Sequence, residues 1–403
     1  MISLDDARSH VLAGCRIGAT MSLPVAEAVG AVLAEGVVSS ETVPPFDNTA
    51  MDGFAVRAVD TTGAPRPLRI VGELAAGAAP STGVGVDEAI RIMTGAPMPA
   101  GADAVVMVER TRTSDDGTTV LVEVEVEPGN HVRRAGDDLR AGTVVFEPGE
   151  VLTAGHLGVL CSVGVSTVEV VARPRVGVLS TGDELVDDGS ALAPGQIRDS
   201  NRRTLLTLVA DAGFESVDLG LVRDDETAIE AALEAGVLEC DALVTSGGVS
   251  MGDYDLVKVV LDRLGDMRWM QIAIKPAKPL AFGTVGDVPV FGLPGNPVSS
   301  MVSFELFARP GLRKMAGHSV LDRPRLDATA LEPFDRRDDA KTHFVRVRAV
   351  VVDGRIAVRS AGGQGSHQLT AMAHADALAV LEPGASVGEG DNVSIIPIRL
   401  PGW

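Results

Sequence analysis

The rhythm of apolar and polar positions changes along this chain, and the changes divide it. MISLDDARSHVLAG sets Ser3 before a helical spacing with Asp5 and Asp6 in its first turn, a capping side chain followed by acids at the positive end of a helix dipole. A second helix is expected to start at Pro24 and run toward Gly36. Pro44, Pro45 and Gly53 then forbid a regular element across TVPPFDNTAMDGFAV. From there to about Leu139 the pattern is short β-like runs, LRIVG, AIRIMTG, DAVVMVE and TVLVEVEVE, broken by Gly, Pro, Asp and Asn, which predicts a separate all-β module. A helix around LTAGHLGVLCSVG and a strand at VSTVEVV follow. The two flanks are expected to form one extended domain into which the β module is inserted.

From Arg173 to about Gly317, strands alternate with helices. RVGVLS precedes SNRRTLLTLVADAG, with Ser200 or Asn201 as cap and Gly213 as stop; SVDLGLV precedes ETAIEAALEAG; DALVTS precedes LVKVVLDRLG; VPVFGL precedes PGNP and VSSMVSFELFA. Such repetition predicts a parallel, doubly wound sheet. After it the texture returns to β, and Asp353-Gly354 reads as a hairpin turn between alternating strands of a small barrel or sandwich.

A chain of 403 residues is long enough for several domains. Its formal net charge of -20 repels nucleic acid and anionic membrane, and 2 Trp with 1 Tyr provide little for base stacking. Any anionic ligand must therefore be held locally. The N-terminal stretch has early acids and no long apolar core, so no signal peptide is expected, and no run of 18 apolar residues predicts a membrane span. Cys15, Cys161 and Cys240 lie far apart without CxxC spacing, so a cytoplasmic, reducing location is expected.

In a doubly wound sheet ligands bind beyond the carboxyl ends of the strands. Four loops predicted to open there are rich in functional groups: Ser180-Thr181-Gly182-Asp183-Glu184, Arg223-Asp224-Asp225, the stretch 246–255, and Leu293-Pro294-Gly295-Asn296-Pro297. A single acid at a helix start is commonly a cap, so it is their convergence that points to a site. Gly247 and Gly248 offer N–H groups to a phosphate or carboxylate, and Asn296 with Pro297 at the first helical position builds a second helix start of that kind. Glu184 and Asp255, with one of Asp224 or Asp225, are hard oxygen ligands suited to Mg²⁺, Asp253 being the competitor of Asp255 where the loop is aligned with a family below. Lys275 and Lys278 in IAIKPAKPLAF are stiffened by the prolines between and after them and form a candidate oxyanion clamp. GGQGSHQL is a further Gly-rich loop, where a histidine such as His367 is more commonly solvated than catalytic. No GxxxxGK[ST], GxGxxG after the first strand, HExxH or GxSxG is present, which removes the main warrant for P-loop, dehydrogenase, metalloprotease and α/β-hydrolase readings.

The stretches PPFDNTAMDGFAV, RIMTGAPMP, RRAGDDL, STGDEL, IRDSN, TSGGVSMGDYD, IKPAKP and GLPGNPVS occur in this order over essentially the whole chain. In them the chain resembles the molybdopterin molybdenumtransferases, the MoeA-type family that includes the E-domain of gephyrin. The resemblance implies an extended domain from residues 1–44 and 141–172, an inserted β domain at 45–140, a central α/β molybdopterin-binding domain at 173–320 and a C-terminal β barrel at 321–403. It implies a homodimer whose active site lies between the central domain of one subunit and the inserted domain of the other. The implied reaction takes adenylylated molybdopterin and molybdate, inserts molybdenum at the dithiolene and releases AMP with Mg²⁺.

Carried over by position, Asp52 and Thr94 come from the inserted domain, and Glu184, Asp224 and Asp255 form the metal-binding acidic cluster. Lys275, Lys278, Ser299, Arg346 and Ser366 receive molybdate. Gly247, Gly248 and Ser250, with Pro294, Gly295, Asn296 and Pro297, bind and shape the site for the pterin substrate. In RRAGDDL, Asp138 and its neighbour Asp137 both fit the motif. Phe54 stands where the family often has Tyr, which leaves a hydroxyl role there without support. The competing functions are a molybdopterin adenylyltransferase-like enzyme and a non-catalytic carrier or scaffold; the adenylyltransferase of the same pathway and cofactor-accepting enzymes are the implied protein partners.

Overall fold

The computed structural model describes residues 1–249, 256–335 and 339–399. Ser250, Asp253 and Asp255 therefore lie outside the described residues.

The central sheet has six strands among the described residues: β1 (Arg175–Thr181), β2 (Glu215–Val222), β3 (Ala242–Ser246), β4 (Gly265–Gln271), β5 (Pro279–Val285) and β6 (Val288–Leu293), in the order β2-β1-β3-β6-β5-β4. β1 runs parallel to β2 and β3, and β3 parallel to β6. β5 departs from the expected all-parallel sheet, since it is antiparallel to both β6 and β4, which leaves β4 running in the direction of the other strands. Connection length explains this: only Gly286 and Asp287 separate β5 from β6, enough for a hairpin but far too few for the crossover that parallel neighbours need.

Helices cover both faces. α1 (Leu4–Gly14) begins as its cap predicts, with the Ser3 side chain accepting from the Asp6 N–H at 3.0 Å. Its buried Ala7 and Val11 pack against the sheet in the largest apolar cluster, together with Phe282, Phe291, Val298 and Phe304. The helix expected from Pro24 to Gly36 does not form. Thr20–Pro24 is a strand paired with Thr167–Val171, a single 3-10 turn follows at Val25–Glu27, Gly30 takes φ +78°, and Val32–Leu33 pairs with Val170 and Val171. Partners 140 residues downstream in sequence override the local helical tendency. The helix α2 (Ala154–Ser162) packs Leu160 onto that three-stranded sheet with Val25, Leu33, Leu152 and Val170.

The β module is a six-stranded sheet between Gly53 and Val122, with apolar clusters on both its faces. The chain enters and leaves it side by side: Val37–Val38 pairs with Val144–Phe146, and Asn48–Thr49 with Val132–Arg133. At the other end of the chain, Leu326–Ala330, Thr342–Val352, Arg355–Ser360, Ala377–Leu381 and Asn392–Pro397 close into a five-stranded barrel, because Thr342–Val352 pairs with both its hairpin partner and Ala377–Leu381. Asp353 and Gly354 at φ +50° and +75° make the expected turn. Ile274–Lys275 adds to the barrel in parallel, beside Thr342 and His343, so the lysine-bearing segment joins the central sheet to the barrel.

Phe282 is 1% exposed and stacks its ring 5.0 Å from Phe291 and 5.7 Å from His10 of α1. Phe282→Ala is expected to destabilise the chain by about 3–5 kcal/mol, read as a lower urea midpoint; a cost below about 1 kcal/mol would show that this cluster does not hold α1 to the sheet.

Candidate functional site

Three loops meet at the carboxyl ends of the parallel strands. After β3, Gly247 and Gly248 adopt φ +90° and +73°, a region where a side chain would be strained, and the Gly247 N–H donates to the Leu293 carbonyl of β6 at 3.1 Å. A Cβ on Gly247 would stand 3.6 Å from the Thr181 carbonyl oxygen, and one on Gly295 3.7 Å from the Gly247 Cα. The close approach is locked by Asn201, whose Nδ2 donates to Ser246 Oγ at 2.8 Å and to the Gly295 carbonyl at 2.7 Å. Asn201 opens the helix α3 (Asn201–Asp211), while Ser200 holds the cap position without a side-chain cap bond. Asn296 likewise occupies the cap position of the short helix Pro297–Ser303, with no side-chain cap bond and with Pro297 in its first turn.

The acids sort into different tasks. Asp225 caps the helix α4 (Glu226–Glu239) by accepting from the Ala228 N–H at 2.9 Å. Asp224 instead pairs with the first loop: its Oδ2 accepts from the Asp183 N–H at 3.4 Å, and its own N–H donates to Asp183 Oδ1 at 3.3 Å. The geometry thus favours Asp224 over Asp225 as the acid that faces Glu184's loop. Glu184 is exposed, and its carbonyl accepts from the Ile197 N–H at 2.8 Å. Gly182, Asp183, Asp187, Asp188, Gln196 and Arg223 line a cavity of about 780 Å³ beside them.

Among the described residues no three His, Cys, Asp or Glu side chains form a metal-holding group, and neither Glu184 nor Asp224 is paired with an Arg or Lys. Two hard carboxylates without a basic partner, the exposed Glu184 and an Asp224 that accepts a long bond from the Asp183 N–H, suit Mg²⁺, which takes one or two carboxylates and draws further oxygens from a phosphate-bearing substrate. The donor set present fits that ion.

The basic residues gather in a second cavity of about 570 Å³, where Lys275, Lys278, Asn296, Ser299 and Ser366 come together with Lys341 and Gln364. Its wall is tied down on several sides. The Ile272 N–H donates to the Lys278 carbonyl at 2.8 Å, Ala277 sits at φ +71°, and the Val298 N–H donates to the Ser366 carbonyl at 3.1 Å. Arg346 is 1% exposed on its barrel strand behind this wall and donates from Nη2 to the carbonyls of Gly363 and Gly365 at 3.0 and 3.1 Å. Burial pushes its guanidinium down to about 10, and its Nε is buried without a partner. Pro294 and Pro297 flank the Gly295-Asn296 turn and do not line the cavity. Lys341 and Gln364 carry no motif in the sequence; Gln364, which exchanges 3.0 and 3.1 Å bonds with the Arg346 backbone, is set apart only by lying in GGQGSHQL.

In the β module, Asp52 Oδ1 accepts from both the N–H and the Oγ1 of Thr94 at 2.7 Å. Neither residue lines either cavity. At the module's entrance Asp47 takes a 2.6 Å bond from Arg134 and a 2.8 Å bond from the Ala135 N–H, which fastens FDNTAMDG to RRAGDDL. Asp137 is spent on the Arg134 N–H at 2.6 Å, which leaves Asp138 as the uncommitted acid of that motif.

Comparison with known proteins shows what this arrangement is similar to. Residues 2–164 match the MoeA N-terminal region (domain I and II), residues 177–314 the probable molybdopterin binding domain, and residues 329–398 the MoeA C-terminal region (domain IV). The chain is 39% identical to the molybdopterin molybdenumtransferase of Haemophilus influenzae, with 99% of each chain covered. The chain belongs to the molybdopterin molybdenumtransferase family. A second family member, from Bacillus subtilis, is 32% identical over 99% of this chain and 94% of its own. The crystal structure of the molybdopterin biosynthesis MoeA protein from Pyrococcus horikosii superposes with a TM-score of 0.82 at 32% identity over the full length of both chains. The multidomain α/β and β architecture is therefore that of the MoeA family.

The Thr94 hydroxyl and then its N–H hold the Asp52 carboxyl below the usual carboxylate range. Asp52 therefore stays ionised through neutral pH and is protonated only in acid. Thr94→Val is expected to raise the Asp52 pKa, measured by NMR titration of its carboxyl carbon; an unchanged titration would show that the pair does not set the charge.

Proposed function

We propose that the chain catalyses molybdenum insertion: it takes molybdate and adenylylated molybdopterin, places the metal at the dithiolene and releases AMP. The observation that carries this reading is the cavity where Lys275, Lys278 and Lys341 meet the hydroxyls of Ser299 and Ser366 in a family member of net charge -20. Neither Lys275 nor Lys278 has a carboxylate partner among the described residues, as suits side chains whose counter-ion is the substrate.

In this reading the lysines and hydroxyls hold molybdate, with the buried Arg346 stiffening the wall and adding fixed positive charge. The Gly247-Gly248 loop, whose Gly247 N–H is committed to the Leu293 carbonyl, together with Ser250 and the turn Pro294-Gly295-Asn296-Pro297, receives the phosphate-bearing substrate. Glu184, Asp224 and Asp255 would hold Mg²⁺, and the ion would supply charge neutralisation for the pyrophosphate. The two dithiolene sulfurs bond molybdenum as two molybdate oxygens leave with the thiol protons and protons from solvent as water, and one water is consumed in cleaving the anhydride to free AMP, so the protein contributes alignment and charge rather than a covalent nucleophile. Asp52 and Thr94 act on the partner subunit's site in a homodimer, which accords with their lining neither cavity here.

The cytoplasmic location, and the domain division 1–44 with 141–172, 45–140, 173–320 and 321–403, are proposed on the same footing. Free cysteines support the location, and the separate apolar clusters of the β module, the flank domain and the barrel interior support the division, while the central cluster also takes in α1 and Phe344, Leu378 and Val380 of the barrel. Among the described residues no helix is long and apolar enough to cross a membrane.

Two variants separate the halves of the site. Lys278→Met is expected to raise the molybdate KM about tenfold or more, as loss of a charged contact does, with the Mg²⁺ requirement unchanged. Glu184→Gln should do the reverse. AMP release that responds identically to both variants, or to neither, contradicts the assignment.

A further inference from the structure

The motif IRDSN continues into Arg202, a residue the proposed chemistry does not use. Its side chain is 4% exposed, and its guanidinium spends its donors on three carboxylates from three different parts of the chain. Nε donates to Asp199 Oδ2 at 3.0 Å, Nη1 to both oxygens of Asp218, at 2.6 Å for Oδ2, and Nη2 to Asp187. Its backbone N–H donates to Asp199 Oδ1 at 3.1 Å, and that oxygen also accepts from Ser180 Oγ at 3.2 Å.

Asp187 and Asp199, with Ser180 bonded to the latter, bracket the loop that carries Glu184. Asp187 follows the short strand Leu185–Val186, which pairs with Ile197–Arg198; Asp199 closes the loop at the start of α3; Ser180 lies at the end of β1 where the loop leaves the sheet. Asp218 lies on β2 at the register shift where Val178 faces Asp218 and Leu179 faces Gly220, an irregularity of the kind that re-aims a side chain. The loop has little apolar support of its own: Val186 is buried and Leu185 half-buried, while residues 188–195 are exposed. At its start the loop is tied by the Gly182 N–H to the Val222 carbonyl of β2 at 3.3 Å and by the Asp183–Asp224 pair; beyond Glu184, ionic contacts to one buried guanidinium tie it to the sheet. Arg203 adds exposed contacts to the same Asp187 and Asp218, at 2.9 and 3.5 Å, but does not reach Asp199, whose side chain is 1% exposed.

We propose that Arg202 is a positioning residue for the reaction: its guanidinium holds the loop 182–198, and with it the Glu184 carboxylate, at the strand-end edge. The proposal rests on the molybdenum-insertion reading of that edge. A lysine at this position keeps the charge but, as a single point donor, cannot span three carboxylates.

The test compares wild type with Arg202→Lys, and with Asp218→Asn as a gentler variant that removes one arm of the fork if the first does not fold. Amide hydrogen exchange is followed across 183–198, with the core of β1 as internal reference, alongside the Mg²⁺ concentration and molybdate KM for AMP release. Faster exchange confined to the loop is expected. With it should come a Mg²⁺ requirement raised by about tenfold to a hundredfold, as loss of an outer-shell partner does, while the molybdate KM is unchanged. Unchanged exchange in a folded variant, or faster exchange with an unchanged Mg²⁺ requirement, overturns the proposal. A wild type that binds the substrate and releases no AMP sinks the insertion reading instead, and the exchange measurement still decides whether Arg202 holds the loop.

Discussion

Five of the six described strands of the central sheet point the same way, β5 being reversed, and the carboxyl ends of β1, β2, β3 and β6 open the loops that bear the candidate chemistry onto one edge. Everything proposed for the site depends on that shared direction. The loops from β1, β3 and β6 touch because the strands beneath them are neighbours 2.8 and 2.7 Å hydrogen bonds from a common asparagine, Asn201, fix the last two together. The antiparallel pair β4 and β5 does a different job. It carries the chain past Ile274 and Lys275, which join the barrel, and so brings the two lysines to the flank of the same edge.

Charge is handled locally. The chain as a whole repels anions, yet a cavity holding three lysines lies beside a buried arginine whose Nε has no partner. A separate cavity, on the side of Glu184 and Asp224, is lined with acids. An arrangement of this kind suits a reaction with two anionic substrates, one held by side-chain cations and the other arriving with a divalent ion.

Much of the fold was legible because its signals are local. Ser3 caps α1 and Asp353-Gly354 turns the barrel hairpin, each fixed by residues within a few positions, whereas Asp225, offered as an alternative metal-site acid, caps α4. The expected helix after Pro24 failed because Thr20–Pro24 and Val32–Leu33 pair with residues 167–171, a contact no local window contains. The reversal of β5 was missed although the two-residue link between β5 and β6 announces a hairpin. At the site, motif residues such as Lys275, Lys278, Ser299 and Ser366 were found and do come together. Lys341 and Gln364 were not, since their position depends on how barrel loops fold over the central sheet. Asn201 and Arg202 illustrate the same limit: the sequence offers them as the start of a helix, and their long-range partners become visible only in three dimensions.

The account's central claim is that this edge couples cleavage of an adenylylated pterin to metal insertion. The most direct measurement is the ratio of AMP released to molybdenum bound in the pterin product, with molybdate and Mg²⁺ each present or withheld. The account predicts equal amounts of both when both are supplied and neither product when one is missing. AMP release that proceeds at the same rate without molybdate, or bound substrate that yields no AMP under any condition, would contradict it.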